Sequence, residues 1–216
     1  AVVTAKVANS VQLINVNDPS SPTATSAPAQ GGSDGNAGTF TELSGAYSVA
    51  IYVLCTGGEC TPSYHAIVAS SDGVQLIEVT DPSSPLASSA VSHSSFGDFT
   101  KLSKCRGVAT YERGLSTYAI VTAHASDSVT IMDVTTPSST PVHKSTMTDG
   151  VTPDGACEGA CAITFVLDGA DSVATFVVEG IAYAVVTADR ESPRMNARHM
   201  SEARMASSAC NNRNAV

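Results

Sequence analysis

The 216-residue chain is long enough for one substantial domain or two small ones, and its 43% of hydrophobic residues can fill a core. Aromatic residues make up only 5% and tryptophan is absent, so that core must consist mainly of aliphatic side chains. The net charge of −9 argues against nucleic acid and anionic membranes as partners, since both need a basic surface, and no apolar run approaches the roughly 20 residues that insert across a membrane.

The chain opens on a short apolar strand pattern that returns three more times. Residues 1–5 read Ala-Val-Val-Thr-Ala, and equivalents stand at 66–70, 119–123 and 184–188, spaced by 65, 53 and 65 residues. Such a recurrence indicates a repeat protein. Because the chain begins inside this pattern without methionine, the sequence also predicts a processed product or a piece of a longer protein.

A second strand motif follows the first three copies after a short polar turn, which predicts a β-hairpin in each repeat. The motif, Val-x-Leu-Ile-x-Val in its clearest form, opens residues 11–22, 74–85 and 129–141. Each copy ends in a turn at Asp18-Pro19, Asp81-Pro82 or Thr136-Pro137. Proline has no N–H for the sheet, so the strand must end there, and the preceding aspartate or threonine side chain can bond the backbone downstream.

Two further strands complete each repeat. A weaker polar strand is predicted at 86–91 and 141–145, and after a longer loop another apolar strand at 46–52, 107–111 and 160–165. A Phe-Thr-x-Leu segment leads into the first two of these, at 40–43 and 99–102, and is missing from the third copy. No helical period appears before residue 189. The sequence therefore predicts an all-β chain of four-stranded meanders.

The recurring Val-x-Leu-Ile-x-Val-x-Asp-Pro-Ser-x-Pro pattern over residues 1–188 resembles the LVIVD repeat, a blade-forming β-propeller repeat of bacterial and algal surface proteins. The resemblance implies propeller-like blades, four-stranded antiparallel sheets repeated about three times, and an irregular C-terminal tail. The repeats then run from about 1–65, 66–118 and 119–183, followed by one strand of a fourth. At the acidic position of the family name, Asp133 fits, whereas Asn15 and Glu78 depart, which argues against a catalytic or metal-binding acid there. The resemblance implies no defined activity.

Three repeats plus one strand are fewer than the four to eight blades with which propellers usually close. Unpaired backbone groups at an open sheet edge are a template for another strand. The sequence therefore predicts a homo-oligomer or filament, in which copies of the chain join head to tail into a ring or an open stack.

The last segment, residues 189–216, differs from the rest of the chain. It carries five arginines and three acids, whereas residues 1–188 carry six basic and seventeen acidic side chains. The first interpretation of this basic segment is a linker or tail. A short helix around 200–209, docking of the positive charge on an acidic neighbour, and an inaccurate reading frame after Ala188 are the alternatives.

Six cysteines point to disulfides and so to an oxidising compartment. Local bridges are predicted for Cys55 with Cys60 and for Cys157 with Cys161, which leaves Cys105 and Cys210. A zinc site would need paired Cys-x2-Cys motifs or neighbouring histidines, and neither is present.

No catalytic motif, phosphate loop or cofactor motif occurs in the sequence, so no enzyme activity and no cofactor are predicted. The five histidines lie in different parts of the repeat; only His124 has a carboxylate nearby in a turn, Asp127. Carboxylates such as Asp168 and Asp171 leave calcium as an alternative, although calcium needs several converging oxygens.

Serines in the proline turns are candidates for O-linked sugars, because clusters of Ser, Thr and Pro on exposed turns are common acceptors. The candidates are Ser20, Ser21, Ser83, Ser84, Ser138 and Ser139. The low charge, the serine- and threonine-rich composition and the even cysteine count predict an extracellular or cell-surface glycoprotein.

Taken together, these patterns predict an extracellular structural protein whose blades self-assemble into a filament, sheath or surface layer. The alternative is a cell-surface binding module, an adhesin or lectin-like propeller whose loops bind glycans or proteins. A propeller hydrolase is a third hypothesis, which would require inward-facing acids repeated at one position.

Overall fold

The computed structural model describes residues 1–56, 61–93, 99–151 and 165–189. Within these ranges the chain forms thirteen β-strands, with one short 3₁₀ turn at His124–Ser126 and no α-helix. The prediction of an all-β chain is confirmed. No helix in these ranges has the length and apolar character needed to cross a membrane.

The strands form four consecutive antiparallel sheets. Sheet 1 contains β1 (Val2–Ala5), β2 (Ser10–Asn15) and β3 (Thr23–Ser26). Sheet 2 contains β4 (Ser48–Thr56), β5 (Thr61–Ala69), β6 (Gly73–Glu78) and β7 (Leu86–Ser92). Sheet 3 contains β8 (Cys105–Arg113), β9 (Ser116–Ala123), β10 (Ser128–Asp133) and β11 (Val142–Thr148). Sheet 4 contains β12 (Ala170–Val178) and β13 (Ile181–Ala188). Each sheet is a meander in which neighbours in sequence are neighbours in space.

The sheets are offset by one strand from the sequence repeat. The apolar strand that closes each repeat pairs with the opening strand of the next one, as β4 pairs with β5 and β8 with β9. We therefore name strands by their place in a complete sheet: β4, β8 and β12 are first strands, and β1, β5, β9 and β13 are second strands. Third strands are β2, β6 and β10, and fourth strands are β3, β7 and β11. The hairpins predicted between second and third strands are all present.

Consecutive sheets are held together by three apolar cores. Val11 and Leu13 of sheet 1 belong to one buried cluster with Ala66 and Val68 of sheet 2. The other two clusters join sheet 2 to sheet 3 and sheet 3 to sheet 4. Alternate residues of a strand point to opposite faces, so the central strands must be apolar on both faces, which explains their continuous aliphatic runs.

Aromatic and leucine side chains from the loops before the first strands close these cores. Phe40 and Leu43 are buried between sheets 1 and 2, and Phe99 and Leu102 between sheets 2 and 3. The sequence predicts no such pair in the third copy, yet Leu167 is buried between sheets 3 and 4 and Phe165 packs on it. The pair is shifted in spacing there, so the Phe-Thr-x-Leu pattern does not identify it.

Hydrogen bonds of the predicted kind close the Asp-Pro turns. The Ser83 N–H and hydroxyl both donate to Asp81 Oδ1, at 2.9 and 2.6 Å, and Ser20 donates to Asp18 with the same two distances. These bonds to the charged form lower the pKa of both aspartates below its ordinary value. The turn chemistry inferred from the sequence is confirmed at Asp18 and Asp81. At Thr136 the turn is closed by a backbone bond, in which the Ser139 N–H donates to the Thr136 carbonyl oxygen at 3.0 Å.

The first strand of sheet 4 lies later in the chain than predicted. The predicted strand at 160–165 falls largely outside the described residues, and its last residue, Phe165, precedes the sheet. The strand that pairs with β13 is β12, which begins at Ala170. The sequence does not predict β12, because a bulge between Ala170 and Ser172 and the acids Asp168 and Asp171 obscure the alternation of apolar and polar residues.

Sheet 4 approaches sheet 3 closely at Gly107 of β8. A β-carbon on this residue would lie 2.8 Å from Ser172 Cα and 2.9 Å from the Asp171 carbonyl oxygen. Only a residue without a side chain fits this contact, so Gly107 sets how near the two first strands, β8 and β12, can lie.

Candidate functional site: the outer face of the fourth sheet

The serine candidates for O-linked sugars lie in the turns that connect third and fourth strands. All six, Ser20, Ser21, Ser83, Ser84, Ser138 and Ser139, are exposed. Sugar transferases could reach these exposed hydroxyls, and glycosylation of the six serines stays a prediction.

The predicted cysteine bridges fall mainly on residues outside the described ranges. Cys60, Cys157, Cys161 and Cys210 are not described, and Cys55 lies near the end of β4 opposite Pro62 of β5. The bridges of Cys55 with Cys60 and of Cys157 with Cys161 therefore stay predictions. Cys105 is a free thiol with no exposed surface, and its Sγ donates to the Leu102 carbonyl oxygen at 3.1 Å, so it occupies a core position instead of the expected bridge.

Two of the carboxylates considered for an ion, Asp171 and Asp127, have structural roles in the described part of the chain. Asp171 forms an ion pair with Arg106, with 2.6 Å between Oδ1 and Nη1, and so joins sheet 4 to sheet 3. Asp127 Oδ1 accepts the Gly169 N–H at 2.9 Å. Among the described residues, no group of three or more His, Cys, Asp and Glu side chains could hold a metal ion.

The three residues at the acidic position of the repeat, Asn15, Glu78 and Asp133, belong to three separate sheets. Asn15 Oδ1 accepts the Asn17 N–H at 2.9 Å, and Asp133 Oδ1 accepts the Thr135 N–H at 3.0 Å. Asn and Asp serve equally well in this turn because only a side-chain oxygen is needed. This local role accounts for the departure of Asn15 from the acidic pattern.

A cross-strand aromatic pair recurs at one register in sheets 2, 3 and 4. Rings stack between first and second strands with centroids 5.3–5.4 Å apart in all three sheets. The pairs are Tyr52 with His65, Tyr111 with Tyr118, and Phe176 with Tyr183. Two residues earlier on each first strand, an alanine lies opposite a β-branched residue of the second strand. These pairs are Ala50 with Ile67, Ala109 with Ile120, and Ala174 with Val185.

These side chains point towards the next sheet in chain order. Tyr52 and Ile67 are buried against sheet 3, and Ile120 is buried against sheet 4. In sheet 4 the same positions are exposed: Phe176 by 46% and Val185 by 55%. We call this surface of sheet 4 the outer face; it comprises Ala174, Phe176, Val178, Ile181, Tyr183 and Val185. It has the side chains of a core face and no covering sheet among the described residues.

An apolar cleft of about 730 Å³ lies beside the same sheet. Its floor is formed by Val129, Ile131 and Met147 on the third and fourth strands of sheet 3, and its wall by Ala184 and Val186 of β13. Sheet 4 covers only the first two strands of sheet 3, because it contains two strands in the described residues. The cleft therefore occupies the place that third and fourth strands fill in sheets 2 and 3.

At the other end of the chain, the first sheet also leaves apolar side chains exposed. Val3 is 47% and Val16 50% exposed, and Val16, which follows β2, lines a cleft together with Ile51 and Tyr64 of sheet 2. On the face of sheet 2 directed to sheet 1, Ile51 and Tyr64 are 45% and 44% exposed, since the described residues provide no first strand for sheet 1. Within the described ranges, sheet 1 thus lacks the first strand and sheet 4 lacks the third and fourth strands of a four-stranded sheet.

Charged groups near the cores serve to hold sheets in place. The Lys6 ammonium donates to the Tyr47 hydroxyl, which lowers the pKa of that phenol, and Arg106 lies over the same ring at 5.4 Å. The hydrogen bond to Asp171 raises the pKa of Arg106, so the guanidinium stays protonated. No set of convergent titratable groups in the described residues resembles a catalytic centre.

No protein-family model matches this chain, and the comparison with curated proteins found no significant match. The LVIVD resemblance therefore stays a prediction. Sequence reasoning located the repeat and its turns but missed the outer face. The aromatic pair, though not its exposure, could have been found from the Phe-x-Val-x4-Tyr spacing of residues 176–183, had β12 been placed correctly.

Proposed function

We propose that this protein is a structural protein that assembles with copies of itself through the stacked β-sheets. The observation that carries the proposal is the outer face of sheet 4, where Phe176, Tyr183 and Val185 occupy positions whose counterparts in sheet 2 are buried. An exposed surface of this composition favours association, because burial of apolar area is the main driving force of assembly.

In this proposal the sheets are propeller-like blades. First strands contact one another from sheet to sheet, β4 with β8 and β8 with β12, whereas fourth strands lie at the far edges. This order supports blades arranged about an axis near the first strands. Sheets from neighbouring copies would continue the arrangement into a filament, sheath or surface layer outside the cell.

The glycosylation and disulfide predictions fit the same proposal. The six turn serines would carry O-linked sugars, and Cys55 with Cys60 would pin the β4–β5 hairpin tip. Both features suit a protein that persists in an oxidising, extracellular setting. Mass spectrometry of material from the native source would test both together.

Self-assembly is tested by light scattering and electron microscopy of the purified chain. The double variant Phe176→Ser, Tyr183→Ser should lose association while keeping its fold, because these side chains contribute little to the core. Leu115→Ser is the matched control, since Leu115 is fully exposed at the β8–β9 hairpin tip, away from the outer face. A wild-type chain that stays a compact monomer at high concentration would refute the proposal.

The apolar cleft favours a second candidate, a cell-surface binding module. Tyr111 and Tyr183 line it, and the charged Glu112 and Arg113 lie at its border, a combination typical of pockets that bind small ligands. A glycan array probed with the purified chain tests this candidate. Binding that is lost in Tyr111→Ala would support it, and an array without binding would remove it.

A further inference from the structure

We infer that the cleft beside β13 is the site at which β2 and β3 of a second copy complete sheet 4, so that β13 of one molecule replaces β1 of the next. The inference rests on the proposed function and specifies its interface. The composite sheet would contain β12 and β13 from one copy and β2 and β3 from its partner, in the four-stranded order of sheets 2 and 3.

The sequences of the two second strands make them interchangeable. Residues 1–5 and residues 184–188 are identical, Ala-Val-Val-Thr-Ala in both places. In sheet 1, β1 pairs with β2 in the register Val2 with Leu13 and Thr4 with Val11. A strand of the same sequence can take this register, which places Val185 opposite Leu13 and Ala188 opposite Ser10 of the partner copy.

The faces of the strands agree with this exchange. The third strands of sheets 2 and 3 bury one side chain against the preceding sheet, Ile77 and Met132, each with no exposed surface. Their counterpart in β2 is Ile14, which is only half-buried. Insertion into the cleft would place Ile14 over the floor of Val129 and Ile131. That floor continues the core between sheets 3 and 4.

Val16, like Ile14, is more exposed than its counterpart in sheet 3. Its counterpart Val134 is buried against sheet 2, with 1% exposed, and its N–H donates to the Thr117 carbonyl oxygen at 2.9 Å. Val16 itself is 50% exposed. Composite pairing would bring Val16 against sheet 3 of the partner and remove this exposure.

A recurring threonine hydrogen bond supports the same arrangement. Thr4 Oγ1 donates to the Tyr47 carbonyl oxygen at 2.9 Å, just before the first strand of sheet 2. Thr122 Oγ1 accepts the Gly107 N–H at 2.7 Å and donates to the Asp171 carbonyl oxygen at 3.0 Å. Thr187 Oγ1 accepts the Ser172 N–H at 3.1 Å in the same way. In the composite sheet its hydroxyl would donate to Tyr47 of the partner copy.

The occupant is a second copy for two reasons. Insertion of β2 into the cleft of its own molecule would close a ring of three sheets, below the four blades of the smallest propellers. The basic segment 190–216 does not contain the Val-x-Leu-Ile pattern of a third strand. By the strands of the described ranges, each exchanged copy contributes three complete sheets, so two copies would close as six sheets, and an open series would form a filament.

Paired cysteine variants test the exchange directly. Full-length Ser10→Cys and Ala188→Cys chains, with different affinity tags, are co-expressed under oxidising conditions. Residues opposite each other in antiparallel strands have Cα atoms about 4.5–5.5 Å apart, which suits a disulfide. We expect a disulfide-linked heterodimer that carries both tags. Ala182→Cys in place of Ala188→Cys is the matched control, since residue 182 lies beyond the register of β2.

The outcomes separate this inference from the proposed function. A cross-link with a particle mass of two chains supports strand exchange and refutes the filament. A cross-link within long polymers supports both. Polymers that show no cross-link above the Ala182→Cys control refute the exchange and leave self-assembly intact. A folded monomer without any cross-link refutes both.

A deletion provides a second measurement on the same inference. Removal of residues 1–5 exposes the edge of β2 to β13 of another copy, so association should strengthen by tenfold or more. A truncated chain that keeps its circular dichroism spectrum but associates no more strongly than wild type would contradict the exchange of β1 for β13.

Discussion

Tyr52 and His65 stack across the first two strands of sheet 2 with their ring centroids 5.4 Å apart, and both side chains are almost completely buried. Phe176 occupies the position of Tyr52 in sheet 4 and is 46% exposed. Tyr52→Ala should therefore lower the free energy of unfolding by about 3–5 kcal/mol, a cost typical of aromatic truncation in a core. Phe176→Ala should cost less than about 1 kcal/mol when measured by urea denaturation at a concentration where the chain is monomeric. Equal losses in the two variants would contradict the assigned exposure.

The buried His65 should make the stability of the fold depend on pH. Burial lowers the pKa of its imidazole, an effect that Glu78 across the strand partly opposes, and Nδ1 has no hydrogen-bond partner in the described residues. The unfolded chain therefore binds a proton more readily than the folded one. Stability from this group is fully present above the ordinary pKa of about 6.5 and is lost as pH falls below it.

His65→Phe keeps an aromatic ring on Tyr52 and removes the titrating group. Urea denaturation at pH 7.5 and 5.5 should show a smaller loss of stability on acidification in this variant than in wild type. The same loss in both proteins would show that His65 does not control this pH range.

Thr122 joins sheet 3 to sheet 4 through a side chain with no exposed surface. Thr122→Val keeps the shape but leaves the buried Gly107 N–H without its acceptor, which should cost about 1–3 kcal/mol in the free energy of unfolding. Thr187→Val is the control at a concentration where the chain is monomeric, because the Ser172 N–H that it would lose lies at an exposed position. Denaturation of both variants in parallel checks the difference, and equal costs would contradict it.

The ion pair between Arg106 and Asp171 should contribute little to stability despite its 2.6 Å distance. Both side chains are partly exposed, 28% and 44%, so solvent screens the attraction. Asp171→Asn should lower the free energy of unfolding by no more than about 1 kcal/mol, and the difference should shrink in 1 M NaCl. A larger loss of stability that does not depend on salt would contradict the assignment of a solvent-screened ion pair.

Cys105 should be chemically inert in the folded protein. Burial raises the pKa of its thiol well above the ordinary value, and the thiolate is the reactive form. Iodoacetamide should leave the peptide that contains Cys105 unmodified under native conditions and modify it in guanidinium chloride, as measured by mass spectrometry. Rapid native labelling, or a disulfide at Cys105, would contradict the core position.

The repeat determined much of what could be predicted from the sequence. Hairpins and Asp-Pro turns are local, so side-chain alternation and proline chemistry suffice to place them, as at Asp81. The position of sheet boundaries depends on which neighbour a strand pairs with, and sequence spacing does not contain that information. β4 and β8 were predicted as strands, but their pairing with the following hairpin was visible only in the structure.

The outer face could not be predicted because burial is a property of neighbouring sheets. Val185 and Ile120 have the same character in sequence, and only the arrangement of sheets makes one exposed and the other buried. The sequence likewise does not reveal which charged partner a side chain such as Asp171 will have. Its carboxylate was a calcium candidate in the sequence, and Arg106, 65 residues away in the chain, is the partner that the fold provides.

The one-strand offset between repeat and sheet has an evolutionary consequence. Excision of residues 66–118 by unequal recombination would join the first half of β5 to the second half of β9 and leave one intact four-stranded meander, flanked by the same sheets as before. Duplication of that stretch would add a whole sheet in the same way. Genes built on this plan can therefore change copy number without dividing a sheet between the two ends, and relatives should differ in length by steps of one repeat.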